Sequence, residues 1–454
     1  MKRLFHFLIA ALFCAFPFSA CVKGRSPDGG KYVSPPEYAG NMRLDIGACF
    51  GPPVTNYHGY SPANFNQTRF DEMAAAGFNM LDPGGWLNGT QGDGYSMARC
   101  RQMLEYAEKA GVGVWIGDFN LCNYRYQNIQ FTADFDEYIA HPAVLGNHLC
   151  DEPSVNEFDD LANLRAKYKE RTDKPGFINL YPSYYNVAGV GGNYEKYVGD
   201  FMETVQPDIL SYDHYPLLND AWDGGMTVRE NYFTDMETIR YAAKKYGVPV
   251  HNYIQSAEHG NYPALLERDF RWQIAVNQAF GIFKFTYFTY WTPNVTGYNT
   301  ALINPDGTVS ELYGFAKTAN QEALAWSNVY LNFKWQGTAA IAGGNGDPFG
   351  LFYGLRYAGY EDGIDGVQSV ASGEDVLCGI FNAADGNKGF MLTNATNPYE
   401  EKTASVTIKF DKAYSGVQIF EKGVASTIGL DKNGGIQIEL ESGEGKFLIP
   451  LKKA

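Results

Sequence analysis

Cysteine is scarce in this chain, with seven in 454 residues. Cys14 and Cys21 fall in the leader, which leaves Cys49, Cys100, Cys122, Cys150 and Cys378. An odd set without short spacings excludes a disulfide framework and a zinc motif. A single disulfide among Cys49, Cys122 and Cys150 stays open, because all three fall near expected strand ends. Basic charge is also short. Lys and Arg number 36 against 51 Asp and Glu, a net charge of −15. That balance argues against a nucleic-acid partner and against adhesion to anionic lipid by charge. His148, His214, His251 and His259 stand on different expected strands without a His-x-x-x-His pair, so no metal and no other cofactor is expected. Beyond the leader, no run approaches the ~20 apolar residues of a spanning helix.

The leader itself has three parts. Lys2 and Arg3 are followed by an apolar run from Leu4 to Phe18 and then by Ser19-Ala20-Cys21. Positive start, apolar centre and small residues are the order of a secretory signal. Cysteine directly after the small residues resembles a bacterial lipobox. That resemblance implies loss of residues 1–20, a lipid on Cys21 and anchoring to a cell-envelope membrane; an ordinary cleaved signal is the alternative. Residues 21–40, rich in Gly, Pro and Ser, read as a tether. Val22-Lys23-Gly24-Arg25-Ser26 carries no acidic cluster, so the membrane face stays open.

From Leu44 to Trp326 short apolar runs alternate with helical patterns, the signature of βα units around a parallel sheet. Strands are expected at Leu44–Cys49, Phe78–Asp82, Val112–Asp118, Val144–Cys150, Gly176–Tyr181, Asp208–Asp213, Pro249–Gln255 and Phe283–Tyr290. Helices are expected between them, among them Met97–Ala110, Glu157–Glu170, Val228–Tyr246 and Leu265–Phe280. Gly77, Gly111 and Gly247 close helices where a left-handed cap turns the chain back. Eight such units over residues 41–332 fit a (β/α)8 barrel. After Asn332 the period changes to short alternating runs separated by turns such as Asp385-Gly386-Asn387. Residues 333–454 therefore read as a small antiparallel β-sandwich, with 336–374 as a long irregular connection.

A (β/α)8 barrel does its chemistry at the C-terminal ends of its strands. Taken in order, the strand ends offer Asp45, Asp82, Asp118 with Asn120, Asp151-Glu152-Pro153, Asn179 with Tyr181, and Asp213-His214-Tyr215. The seventh offers Gln255 and Glu258, and the eighth Trp291. Aromatics make up 15% of the chain, and carboxylates, amides and aromatics on one rim suit a neutral polyhydroxylated ligand. Asp45, Asp118, Asp151, Asn179, Tyr181, Asp213, His214, Tyr215, Gln255 and Trp291 are the expected binding residues. Glycoside hydrolysis needs a carboxylic acid to protonate the leaving oxygen and a second carboxylate opposite it. Glu152 fits the first role, since the charge of Asp151 beside it would raise its pKa. The competing reading is that Asp151-Glu152-Pro153-Ser154 merely opens the fourth helix. Glu258 is the candidate second carboxylate, and Asp213 competes with it from a clearer strand-end position. Trp291 suits the floor of a sugar subsite.

The strings LGNHLCDEPS, DILSYDHYP and FRWQIAVNQAFGIFKFTYFTYWTP, followed by LINPDGTVSELYGFAKTAN, resemble barrel glycoside hydrolases of clan A. Within it they are most similar to the β-galactosidase-like and uncharacterised glycosidase lipoproteins of gut Bacteroidota. The resemblance covers about residues 43–330 and implies a retaining mechanism on an oligo- or polysaccharide of plant or host origin. It implies an acid/base Glu after the fourth strand, which Glu152 matches, although Asp151 stands where Asn is usual. It also implies a nucleophilic Glu after the seventh strand, where Gln255 stands and Glu258 follows. A barrel that binds glycans without cleaving them is the alternative function.

Overall fold

The computed structural model describes residues 31–454 apart from 39, 56–59, 91, 123–127, 186–188, 221–223, 345–351, 353–354 and 356–362. The leader and Cys21 lie outside the described residues. Eight parallel strands close on themselves: β1 (Asp45–Cys49), β2 (Met80–Asp82), β3 (Gly113–Asp118), β4 (Val144–Asp151), β5 (Gly176–Leu180), β6 (Leu210–Asp213), β7 (Val250–Gln255) and β8 (Lys284–Phe288). Each pairs with the next, and β8 pairs with β1. A helix follows every strand: α1 (Gln67–Ala75), α2 (Met97–Ala110), α3 (Ala133–Ile139), α4 (Phe158–Lys169), α5 (Tyr194–Thr204), α6 (Tyr232–Tyr246), α7 (Glu267–Ala279) and α8 (Glu311–Leu324). This is a (β/α)8 barrel. Helix ends follow local chemistry: Ser96 and Asn193 cap α2 and α5 by accepting backbone N–H groups, and Gly111 and Gly247 take left-handed caps.

The strands bury both faces, as barrel strands must. Outward residues pack under the helices, whereas Cys49, Trp115, Phe177 and Tyr253 form a small inner cluster. At the bottom of the barrel Lys284 pairs with Asp45, both at strand starts.

Residues 333–454 form two antiparallel sheets. The larger runs Phe333–Ile341, Val376–Ala383, Lys388–Asn394, Gly445–Lys452, Tyr414–Glu421 and Val424–Gly429 in spatial order. The smaller comprises Val367–Ser372, Ala404–Phe410 and Gly435–Leu440. Phe390, Leu392, Val406, Ile408, Val417 and Leu448 fill the space between them. The fold is therefore a barrel followed by a β-sandwich. The expected irregular connection over 336–374 is corrected at both ends, because Phe333–Ile341 and Val367–Ser372 are strands. Gly337 sits at a bulge in the first, which hides the alternation.

The outer face of the large sheet packs on the barrel. Leu377, Phe381, Met391 and Phe447 share one core with Trp326 and Tyr330. Thr338 donates to the Ala279 carbonyl at 2.9 Å and Thr393 to the Ala275 carbonyl at 3.2 Å. The tether expected over 21–40 departs from that reading over its later part. Tyr32 bridges Lys453, the Val33 N–H donates to the Lys452 carbonyl at 3.0 Å, and Tyr38 packs on Phe333. Two tyrosine rings with apolar surface to bury hold this segment to the sandwich.

Candidate active site

A bulge in β4 builds the site. Its register against β5 runs Asn147–Gly176, His148–Phe177, then Cys150–Ile178 and Asp151–Asn179, so one residue is extra between His148 and Cys150. Strict alternation after His148 would turn Cys150 inward. The extra residue instead gives Asp151 the same side as His148, level with Asn179. Glu152 follows at φ 48°, where the chain leaves the strand, and its N–H donates to the Asn179 carbonyl at 2.8 Å.

Two hydrogen-bonded groups occupy the inside of this end of the barrel. In the first, Asp82 accepts from the Tyr253 hydroxyl at 2.6 Å and from the Gly84 N–H at 3.1 Å, and meets His148 Nδ1 at 3.2 Å. His148 stacks on Phe177 with ring centres 4.5 Å apart. Burial pushes the Asp82 carboxyl up, but its three partners together hold it below the usual carboxylate range. Burial likewise opposes charge on His148, and Asp82 overcomes it, so the imidazole ends above its ordinary value. In the second group Asn179 Nδ2 donates to Asp213 at 3.0 Å and to Asp151 at 3.2 Å.

Three carboxyls are pushed up here. Burial and the charge of Asp151 take Glu152 up to about 7. Burial, then the charges of Glu152 and Asp151, hold Asp213 well above its ordinary value against the Asn179 hydrogen bond. Asp151 is raised by burial, with His148 opposing; it keeps solvent access through the barrel mouth although protein surrounds it. Glu152 and Asp213 therefore compete for protons. A proton donor beside carboxylates that resist sharing its proton is the equipment of general acid catalysis.

Of the expected site residues, Glu152, Asp151, Asn179 and Asp213 come together. Tyr181 and Tyr215 stand on the same rim, the first stacked on Tyr185 at 5.2 Å and the second on Phe288 at 5.4 Å. The others are corrected. Asp45 starts its strand and lies at the opposite end of the barrel. Asp118 turns outward, accepting from the Tyr138 hydroxyl at 3.1 Å and the Asn120 N–H at 3.0 Å. His214 is wholly buried against Asp235 on α6, at 3.0 Å. Gln255 is also wholly buried, and its side-chain oxygen accepts from the Leu217 N–H at 3.1 Å. Trp291 is a core residue with no exposed surface, with Tyr60 edge-on to its ring and the Arg69 guanidinium over it. Glu258 is not among these corrections: it follows β7 in a short ribbon with Tyr298–Thr300, where it accepts from Asn299 at 3.0 Å. None of Cys49, Cys122 and Cys150 is in a disulfide.

Asp82, His148, Ser211, His251 and Tyr253 also line the inside of this end of the barrel, although as single residues in the sequence they carry no mark of it. Parity within a strand was the available signal for Ser211 and Tyr253. Two residues before inward Asp213 comes Ser211, and two after His251 comes Tyr253.

No family model and no curated protein sequence matches the chain. Solved structures do match in chain path. A glucosidase from Croceicoccus marinus is 12% identical, with 92% of this chain and 98% of that one covered at a TM-score of 0.43. The GH39 enzyme from Xanthomonas axonopodis pv. citri is 9% identical, with 92% and 96% covered at 0.40. A monomeric β-xylosidase from Caulobacter crescentus CB15 is 9% identical, with 91% and 96% covered at 0.39. The chain is thus similar in overall path to structures bearing glycosidase names.

Proposed function

We propose that the protein is a glycoside hydrolase acting on an oligo- or polysaccharide of plant or host origin, with Glu152 as proton donor and Asp213 as the second carboxylate. The observation that carries this reading is the convergence of three carboxyl residues on Asn179 at the C-terminal rim of the barrel, its amide donating to Asp213 at 3.0 Å and Asp151 at 3.2 Å and its backbone carbonyl accepting from the Glu152 N–H at 2.8 Å. Protonation of a glycosidic oxygen needs a carboxyl that still holds its proton near neutral pH, and Glu152 has that property. The developing positive charge on the sugar needs an ionised carboxylate nearby, and in this reading Asp213 takes that role, its charge supported by the Asn179 hydrogen bond at 3.0 Å. Glu258 takes no part in this reading.

The test is a hydrolysis screen of residues 22–454 against aryl glycosides and plant and host polysaccharides. Glu152→Gln and Asp213→Asn should each remove turnover, and Glu258→Gln should keep it. Loss with Glu258→Gln and retention with Asp213→Asn would overturn the assignment of the second carboxylate. The anomer released first, followed by proton NMR, decides between inversion and retention.

Glycan binding without cleavage is favoured by one observation, the use of Gln255 as a buried structural residue where β7 might have supplied a carboxylate. Binding of polysaccharide with no turnover on any substrate would establish it. Attachment to the cell envelope through a lipid on Cys21 belongs to the same proposal and rests on the leader sequence. Cys21→Ala should move the protein to the soluble fraction.

A further inference from the structure

A buried line of hydrogen bonds crosses the barrel beneath the carboxyls. Thr286 on β8 meets His251 Nε2 at 2.8 Å, and His251 Nδ1 meets the Ser211 hydroxyl at 2.9 Å. Ser211 donates to the Asn179 side-chain oxygen at 2.9 Å, and Asn179 then donates to Asp213 and Asp151. All four relay residues are at most 3% exposed.

The direction of every bond follows from the far end. When Asp213 and Asp151 are ionised their oxygens can only accept, so the Asn179 amide then aims its NH2 at them and its oxygen at Ser211. That oxygen needs a hydrogen, and Ser211 has only one, so Ser211 spends it there. His251 must then donate to Ser211 from Nδ1 and accept from Thr286 at Nε2. A neutral imidazole of this single tautomer satisfies the line. Burial, with Lys284 next, takes the His251 pKa down to about 3, which keeps the ring neutral. Space for the Thr286 hydroxyl is provided by Gly47 on β1, where any Cβ would overlap it.

We propose that Thr286, His251, Ser211 and Asn179 form a positioning relay that fixes the Asn179 amide so as to weaken the hold of Asp213 and Asp151 on a proton. An amide hydrogen stabilises an ionised carboxylate, so an Asn179 locked in this orientation opposes the upward push that burial exerts on Asp213 and Asp151. The inference rests on the proposed two-carboxylate reaction for its functional meaning, but the proton placement is a property of the protein alone. The titratable groups around Asp213 are Asp151 and Glu152 from β4, Tyr212 on its own strand, and Tyr184, Tyr194 and Tyr215 from the surrounding loops and α5. Those around His251 are Lys284, Asp82 and His148. Ser211 is the donor to the Asn179 side-chain oxygen, so its hydroxyl hydrogen is what the relay delivers.

The test uses Ser211→Ala and Thr286→Val, two variants that leave every carboxyl in place, with Thr286→Ser as the conservative control. Infrared titration of protein labelled with 13C-aspartate follows the Asp213 band, assigned by its loss in Asp213→Asn. Ser211→Ala should raise the pH at which Asp213 ionises by about one unit, and Thr286→Val should shift it the same way by less. Thr286→Ser should restore it. In turnover assays the acidic limb of kcat/KM should move up with the band, while KM changes little. An Asp213 band unmoved in both variants would overturn the relay even if glycosides are hydrolysed. A shifted band with no turnover on any glycoside would support the relay and reject the hydrolase reading.

Discussion

Glu152 has a left-handed backbone, which costs a residue with a Cβ about 1–2 kcal/mol. Such strain persists where surrounding structure enforces it and is common at functional sites. Here the bond from the Glu152 N–H to Asn179 and the onset of α4 hold the turn. Its carboxyl predicts two pH effects. For catalysis, activity should fall as pH rises through about 7, where Glu152 loses its proton. Glu152→Gln should lower kcat by about 10²–10⁴-fold and abolish that limb, measured with an activated aryl glycoside. For stability, the folded pKa of Glu152 lies above its ordinary 4.5. Its favourable contribution is therefore complete below that value and is lost as pH rises toward and through 7. Asp151 and Asp213 act in the same direction. The wild-type melting temperature should decline between pH 5 and 8, and the decline should be smaller in Glu152→Gln, by roughly 1–3 °C. Equal declines in the two proteins would remove Glu152 as a cause.

Strands carry the next level of explanation. The existence of all eight barrel strands was legible from apolar runs bounded by Gly and polar residues, and α2 matches its expected limits, Met97–Ala110. Which way each strand-end residue points was less legible. Asp118 follows outward Ile116 by two, so parity already placed it under the helices, yet its position at a strand tip suggested the rim. Asp45 failed because a strand's first residue belongs to the bottom face. Trp291 and Gln255 failed because packing from the loop after β6 and from α1 covers them, which depends on contacts far away in sequence. Parity misleads at Asp151, since the bulge in β4 leaves no mark in LGNHLCDEPS. Gly47 is a sequence mark that alternation did explain once the strand was placed. Gly47→Ala should press a methyl group into Thr286 and cost about 1–3 kcal/mol, read as a lower urea midpoint. Unchanged stability with an unchanged Asp213 titration would mean that β1 and β8 can separate without loss.

The whole molecule is one packed unit across two architectures. Phe447 of the sandwich is wholly buried and contacts Trp326, Tyr330, Phe333 and Phe381. Cutting near residue 332 would strip cover from α7 and α8 and expose these rings. A single calorimetric transition is therefore expected for the intact protein. Phe447→Ala should lower it by about 3–5 kcal/mol of stability while shifting barrel and sandwich signals together. Two separated transitions in that variant would show that the shared core is dispensable. The division between barrel and sandwich was readable from the change of period near Asn332, but the shared core was not, because its members are scattered between residues 326 and 447.

The docking of Tyr32 beside Lys453 brings both ends of the described chain to the same edge of the sandwich. From there the chain passes Tyr38 and enters the barrel through the start of β1, at the end opposite the carboxyls. A pull on the chain at Lys31 is thus borne by the contacts of Tyr32 and Val33 with the last strand before it reaches β1. A fluorescent or affinity domain fused after Ala454 would sit at this edge of the sandwich, beside Tyr32 and away from the carboxyl end of the barrel.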